Sequence, residues 1–353
     1  MPTRIARVLI VDDSALMRQM LTSILSSDPG IEVVGTAPDP LVAREKIKAL
    51  NPDVLTLDVE MPRMDGLAFL EKLMTLRPMP VVMVSSLTEK GAEVTMRAME
   101  LGAVDVFCKP VDIAGGGLQA QAQILIDKVK AAAFARVRSL SDRPVQQPAR
   151  LAVTTLYKST DRLVAIGSST GGVEALRDII LALPADSPPI VITQHIPPKF
   201  SASFAERLDS LAAVRVKEAS DGERIMAGHV YIAPGDRHLA VRRSGAQLIA
   251  QCYDGPLVSG HKPSVSVLFN SVAETCGAKA VGVILTGMGR DGADGLLAMR
   301  KAGAATIGED ESSCVVYGMP KAAFDLGAVE KQLPLSHIAE EILRLCRQDV
   351  ART

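Results

Sequence analysis

Apolar and polar positions follow two alternating rhythms along this chain. Short apolar runs, "ARVLIVDD", "IEVVGTA", "PDVLTLDV", "PVVMVSS" and "AVDVFCKP", read as strands buried on both faces. Between them, "SALMRQMLTSILSS", "PLVAREKIKAL", "GLAFLEKLMTL", "GAEVTMRAMEL" and "LQAQAQILIDKVKAAAFARV" place apolar residues at helical spacing. Strands that alternate with helices imply right-handed crossovers and a parallel sheet covered on both faces. The rhythm stops at "RSLSDRPVQQPARLAVTTLYKSTDR", Arg138 to Arg162, where no period is sustained. It resumes with "RLVAIGSS", "PIVITQH", "FSASFAERLDSL", "SVSVLFNSVAETC", "AVGVILTG", "DGADGLLAMRKAG", "AATIGE" and "SHIAEEILRLCRQ". "VRVKEA", "HVYIAP", "HLAVRR" and "AQLIAQCY" read as short strands with Gly and Asp turns, including a hairpin, inserted in this second series.

The expected fold class is α/β in both halves. Residues 1–137 form a flavodoxin-like parallel five-stranded domain, 138–159 an interdomain linker, and 160–348 a doubly wound domain with a β-hairpin excursion. A length of 353 residues supports the division, because it exceeds what one hydrophobic core usually holds.

Charge narrows the function classes. Lys plus Arg number 39 against 40 Asp plus Glu, so no electrostatic footprint for nucleic acid or an anionic membrane stands out. Tryptophan is absent and aromatics are 3%, which removes base-stacking platforms. The cysteines, Cys108, Cys252, Cys276, Cys314 and Cys346, are odd in number and form no Cys-x-x-Cys, as expected of a reduced, cytoplasmic setting. The apolar run of "MPTRIARVLIVDDS" is too short for a signal peptide, and no stretch has the length of a membrane span.

The chemistry of the first half sits at strand ends. Asp12 and Asp13 close the first strand and Asp58 the third, and in a flavodoxin-type order those strands are neighbours. Three carboxylates brought together repel one another, and a hard divalent cation such as Mg2+ relieves the repulsion. Lys109 after the fifth strand adds a positive charge, and Ser85 after the fourth adds a hydroxyl. A cation, a lysine and a hydroxyl around a carboxylate make an acyl-phosphate site. The segments "VLIVDDS", "LTLDVEMPRMDG", "VVMVSS" and "FCKP" resemble the receiver domain of two-component response regulators over about residues 5–130. The resemblance implies Asp58 as phospho-acceptor, Asp12 and Asp13 as Mg2+ ligands with Asp58 and the Val59 carbonyl, Lys109 as phosphate partner and Ser85 as switch hydroxyl. Where many receivers carry a switch aromatic, this chain has Val106 beside Phe107. The turn at Lys109–Pro110 is a candidate cis bond.

In the second half, "IGSSTGG" joins a strand to a helix. Such a turn aims backbone N–H groups at an anion, either a bound phosphate or a transient oxyanion. It lacks the Gly-Lys-Ser/Thr of a phosphate loop and the Gly-x-Gly-x-x-Gly of a dinucleotide site. His195 follows the next strand, and Asp291 follows a later one in "ILTGMGRDG". Ser169, His195 and Asp291 on one carboxyl edge supply the parts of a nucleophile–base–acid triad. Each also has a plainer use, Ser169 and Asp291 as helix caps and His195 as a strand-end residue. Strand alternation turns Ser168 away from its neighbour.

"IGSSTGGVEAL", "ITQHIPPKFSASFAERLD", "VKEASDGERIMAGHVYIAPGDRHL", "AVGVILTGMGRDGADGLLAMRKAGA" and "SSCVVYGMPKAA" together resemble the protein-glutamate methylesterases of bacterial chemotaxis, the CheB type. The resemblance implies Ser169 as nucleophile, His195 as general base and Asp291 as orienting acid, with Thr170 and Met288 beside the oxyanion. It implies methyl-accepting chemoreceptors as substrate, glutamine deamidation as a second reaction, a chemotaxis histidine kinase as phosphodonor, and no cofactor for ester hydrolysis. That family usually has Ala where Ser168 stands. His261 and Lys262 are weaker candidates for lining the cleft. Two other readings stay open: a receiver-controlled phosphate- or nucleotide-binding module, and a transcriptional regulator, the latter disfavoured by neutral charge and the lack of a helix-turn-helix.

Overall fold

The computed structural model describes residues 5–61, 66–86, 88–109, 121–137 and 162–347. The linker expected at 138–159 and the Lys109–Pro110 bond lie outside these residues. The chain divides into two compact units, Met1–Val145 and Gln146–Thr353.

In the first unit, strands β1 (Ala6–Val11), β2 (Ile31–Ala37), β3 (Val54–Asp58), β4 (Val81–Ser86) and β5 (Asp105–Lys109) form one sheet in the order β2-β1-β3-β4-β5. Every pairing is parallel. The helices are α1 (Ala15–Leu25), α2 (Pro40–Leu50), α3 (Gly66–Leu76), α4 (Glu89–Glu100) and α5 (Ala122–Ala133). Local signals set their ends. The Ser14 side chain accepts from Met17 N to cap α1. Asp39 caps α2 ahead of Pro40 in the first turn, and Asn51 ends that helix in the left-handed region.

The second unit is built on seven strands, β6 (Leu163–Ser168), β7 (Ile190–Gln194), β8 (Arg215–Glu218), β9 (His229–Ile232), β12 (Ala280–Ile284), β13 (Ala305–Glu309) and β14 (Lys331–Leu333). Their order is β14-β13-β12-β6-β7-β9-β8, again parallel throughout. The predicted hairpin is present as β10 (His238–Ser244) and β11 (Gln247–Tyr253), a separate antiparallel pair. Its apolar face (Leu239, Val241, Ala250, Cys252) joins the core that holds Leu268, Phe269 and Val272 of helix α8 (Val265–Cys276). The other helices are α6 (Gly172–Leu181), α7 (Phe200–Asp209), α9 (Ala293–Lys301), α10 (Met319–Asp325) and α11 (Leu335–Arg347). Among the described residues no helix is long and apolar enough to cross a membrane.

Two elements carry no periodic signal of their own. Helix α10 has 7 residues and strand β14 has 3, too few to repeat either period. Both depend on tertiary contacts.

Strand order reverses between β1 and β3 in the first unit and between β12 and β6 in the second. Open parallel sheets bind ligands at such points, outside the carboxyl ends of the strands. The Phe269 ring lies against the second reversal: a Cβ added at Gly167 of β6 would lie 3.1 Å from Phe269 Cζ. Phe269 is fully buried, so Phe269→Ala should destabilise this unit by about 3–5 kcal/mol, read from the midpoint of urea unfolding. A change below about 1 kcal/mol would show that the site's floor is not a packed core.

Candidate active site and phospho-acceptor site

At the first reversal, Asp12, Asp13 and Asp58 each offer a carboxylate oxygen, all within 4.8 Å of one another. Asp12 and Asp58 are buried, and Asp13 is exposed. Asp12 Oδ1 accepts from Ser14 N at 2.9 Å. Arg18 Nη1 donates to the carbonyls of Asp12 at 2.7 Å and Asp13 at 3.0 Å, fixing the backbone that carries both acids. Lys109 Nζ lies 2.8 Å from Asp58 Oδ2 and 3.0 Å from Asp12 Oδ2.

Burial pushes the Asp58 carboxyl up to about 6, and the Lys109 ammonium offsets only part of that rise. Burial pulls Lys109 down, but its hydrogen bond to Asp58 and the charges of Asp58 and Asp12 hold it above an ordinary lysine. One ammonium among three acids leaves excess negative charge, and the donors are all hard oxygens. That set fits Mg2+, with Asp12, Asp13 and Asp58 holding it. When bound, the cation would neutralise phosphoryl oxygens arriving at Asp58.

The remaining first-unit residues are also placed. Ser85 is buried one position beyond Val84, which pairs with Asp58, and its Oγ has contacts of 3.4 Å to the carbonyls of Ser86 and Gly91. Val59 follows Asp58 directly and is buried. Val106 and Phe107 are buried in β5, with no aromatic at the position that resembles a switch.

At the second reversal, Ser169 follows β6 and His195 follows β7. His195 N donates to Ser168 O at 3.1 Å, so the ladder between these strands ends beside both residues. Ser169 N donates to Thr286 O at 3.0 Å, which ties the turn to the segment after β12. Ser169 is not a helix cap. Helix α6 begins at Gly172 with Gly171 as its cap, at φ 80°, and a Cβ on Gly171 would lie 2.5 Å from Val315 Cβ.

Asp291 departs from the capping role considered for it. Its carboxylate does not cap α9, the helix that follows it, but sits at the start of α8. Asp291 Oδ1 accepts from Ser264 Oγ at 2.9 Å and Ser266 N at 3.1 Å. Asp291 Oδ2 accepts from Val265 N at 2.7 Å and His195 Nε2 at 2.9 Å. Burial alone would raise this carboxyl, yet His195 and the α8 donors hold it well below the usual carboxylate range. It is therefore ionised, and His195 Nε2 carries the proton that bonds to it. His195 Nδ1 is buried and has no hydrogen-bond partner among the described residues. Ser–His–Asp sites more often turn Nδ1 toward the acid and Nε2 toward the serine. Here Nε2 meets the acid instead.

Thr170 is buried, its carbonyl accepting from Thr286 Oγ1 at 3.0 Å, and Met288 is half-buried in the segment after β12. The His261 ring stacks on His195, centroids 3.7 Å apart and planes 10° apart. Sequence reasoning gave His261 little weight, because a lone histidine in a loop has no spacing signal. It missed Glu309 and Ser264 altogether. Glu309 is fully buried at the end of β13, and burial pushes its carboxyl up to about 6. It accepts from Thr286 N at 2.8 Å and Ser313 Oγ at 3.0 Å, bracing the segment whose Thr286 carbonyl accepts from Ser169 N. A strand-end glutamate would have been the signal, but a single acid at a turn is common.

Residues 164–342 match the family described as CheB methylesterase, and residues 8–115 match the response regulator receiver domain. The protein-glutamate methylesterase/protein-glutamine glutaminase of Bordetella parapertussis is 57% identical over 338 residues, 96% of each chain. The protein of the same name from Salmonella typhimurium is 57% identical over 337 residues, again 96% of each. The crystal structure of the Thermotoga maritima CheB methylesterase catalytic domain covers 53% of this chain and 99% of that one, at 40% identity and a TM-score of 0.51.

The acidic cluster makes a pH-dependent prediction. Without metal, Asp58 holds a proton up to about pH 6, whereas a cation needs the carboxylate. Mg2+ must therefore displace that proton at lower pH and no proton at higher pH. Titration calorimetry should show Mg2+ affinity level above about pH 7 and falling up to about tenfold per pH unit well below 6. Affinity that is the same at pH 5 and pH 7 would exclude Asp58 as a ligand.

Proposed function

The chain belongs to the CheB methylesterase family, and from that premise we propose that Ser169, His195 and Asp291 carry out its protein-glutamate methylesterase and protein-glutamine glutaminase reactions. The observation that carries this reading is the His195–Asp291 hydrogen bond, which leaves a buried, unpartnered Nδ1 on a residue just past β7, the strand beside the one that Ser169 follows. Ser169 Oγ attacks the side-chain carbonyl of a methylated glutamate, and its proton passes to His195 Nδ1. The ionised Asp291 stabilises the imidazolium and holds its orientation. The tetrahedral oxyanion forms at the N-terminus of α6, where the helix dipole and the turn's N–H groups favour negative charge, with Thr170 and Met288 beside it.

His195 then returns its proton to the leaving group, which departs as methanol from an ester or ammonia from a glutamine. Water attacks the acyl-enzyme by the same route in reverse, with His195 again as base, and releases a glutamate carboxylate. The two substrates share one site because both pass through the same oxyanion. No cofactor enters these steps.

The first unit supplies control. Asp58 accepts a phosphoryl group, with Lys109 pairing its oxygens, Ser85 as the switch hydroxyl and Val59 adding a carbonyl to the Mg2+ site. A histidine kinase of the chemosensory pathway is the donor, and the methyl-accepting receptors' cytoplasmic helices are the substrate. The chain acts in the cytoplasm, without nucleic acid and without inserting into the membrane. A phosphate-binding module lacking esterase activity finds no support among the related proteins.

Methanol release from methylated receptor tests the triad. Ser169→Ala should abolish it, and Asp291→Asn should lower kcat by about 1,000–10,000-fold, as for other triads that lose the orienting acid. Undiminished release by Ser169→Ala would overturn the assignment. For control, a small phosphodonor with Mg2+ should raise the activity of the intact chain and leave Asp58→Asn at its basal rate. Equal stimulation of both would remove Asp58 as the acceptor.

A further inference from the structure

The first serine of "GSSTGG", Ser168, has no step in that chemistry, yet its hydroxyl is buried and paired. Ser168 Oγ donates to Gln194 Oε1 at 2.6 Å. At the other end of the same amide, Gln194 Nε2 donates to the Ser169 carbonyl at 2.9 Å and the His195 carbonyl at 3.2 Å. One buried side chain thus touches the backbone of both the nucleophile and the base. Ser168 and Gln194 are cross-strand partners at the ends of β6 and β7, 0% and 3% exposed.

The amide has one workable orientation. Two carbonyls can only accept, so the NH2 group must face them, and the oxygen must face the Ser168 hydroxyl. A flipped amide would set its oxygen against two carbonyl oxygens in a buried place. The Ser168 hydroxyl fills the remaining acceptor and leaves no polar group of the network unmatched. The turn keeps room for this arrangement, because a Cβ on Gly172 would lie 2.1 Å from Gln194 Oε1.

Ser169 and His195 each lie one residue past a strand end. The last backbone bond between the two strands is His195 N to Ser168 O, and among the described residues the Gln194 amide is the tie beyond it. We infer that Gln194 is a positioning residue that sets the separation of Ser169 from His195, with Ser168 locking the amide that does so. The inference rests on the triad reading above. A displacement of about 1 Å between reacting groups can cost on the order of 100-fold in rate. A substrate contact far from the pair would be untouched, so the effect belongs in kcat.

The test uses the full chain, with kcat and KM for methanol release and the rate at which a fluorophosphonate labels Ser169. Gln194→Leu keeps bulk and removes the amide. It should lower kcat and labelling together by about 10–100-fold and leave KM within about twofold. Ser168→Ala should lower both severalfold, and adding it to Gln194→Leu should change nothing further, because the hydroxyl acts through the amide. Circular dichroism and the melting temperature identify a variant that has not folded, and Ser168→Ala then decides. Wild-type kcat and labelling in folded Gln194→Leu, or additive effects in the double variant, would overturn the inference. Ser169→Ala, run alongside, separates the outcomes: if it is inactive while Gln194→Leu is not, the triad stands and only the positioning role fails.

Discussion

The second unit's site depends on one buried charge. Asp291 is held away from water, where an ionised carboxylate is costly unless each oxygen is met by donors. The chain meets it with Ser264 Oγ, two backbone N–H groups at the start of α8, and His195 Nε2. The helix N-terminus supplies donors that have no intrahelical partner and a dipole that favours an anion. Everything downstream follows from that satisfaction. The acid stays ionised, and the ionised acid holds the proton on His195 Nε2.

Asp58 in the first unit shows the opposite arrangement. It too lies at a reversal of strand order and is buried. Its neighbours are two more acids and one lysine, with one backbone donor, Glu60 N at 3.3 Å. Its carboxyl is therefore pushed up where that of Asp291 is held down. The difference suits the roles proposed for the two acids. An orienting acid keeps one charge state throughout a cycle, whereas a phospho-acceptor sits in a field that an arriving cation and phosphoryl group can rebalance.

Much of this was legible in the sequence. Both parallel sheets followed from apolar runs separated by helical periods, and the candidate site residues were picked out by their places at strand ends. That a hairpin lies among the four short strands was legible, but not which two form it; the structure pairs "HLAVRR" with "AQLIAQCY". Less legible were partners whose role is set by tertiary contact. Ser264 carried no signal beyond its place before a helix; it caps that helix, accepting from Val267 N, and the same hydroxyl also donates to Asp291 from 27 residues away. Glu309 read as a strand end, and its link to the nucleophile runs through Thr286. The cap first considered for Asp291 was plausible on local grounds, because Asp before a helix usually serves that helix. Only the packing of α8 across Gly167 and Gly292 brings a different helix start to the carboxylate.

Strand order also bears on which nitrogen His195 turns to the acid. The order β12-β6-β7 places the serine's strand between the strands of the acid and the base. Neighbouring strands lie about 4.8 Å apart, so the histidine must cross the serine's strand, about 10 Å in all, to reach the loop after β12. Nε2 is the far nitrogen of the ring and Nδ1 the near one. The far nitrogen therefore meets Asp291. A sheet with the histidine's strand in the middle would have no such requirement. Topology thus bears on the tautomer: an acid in the loop after the distant strand meets the tip of the ring, and its charge keeps the proton there.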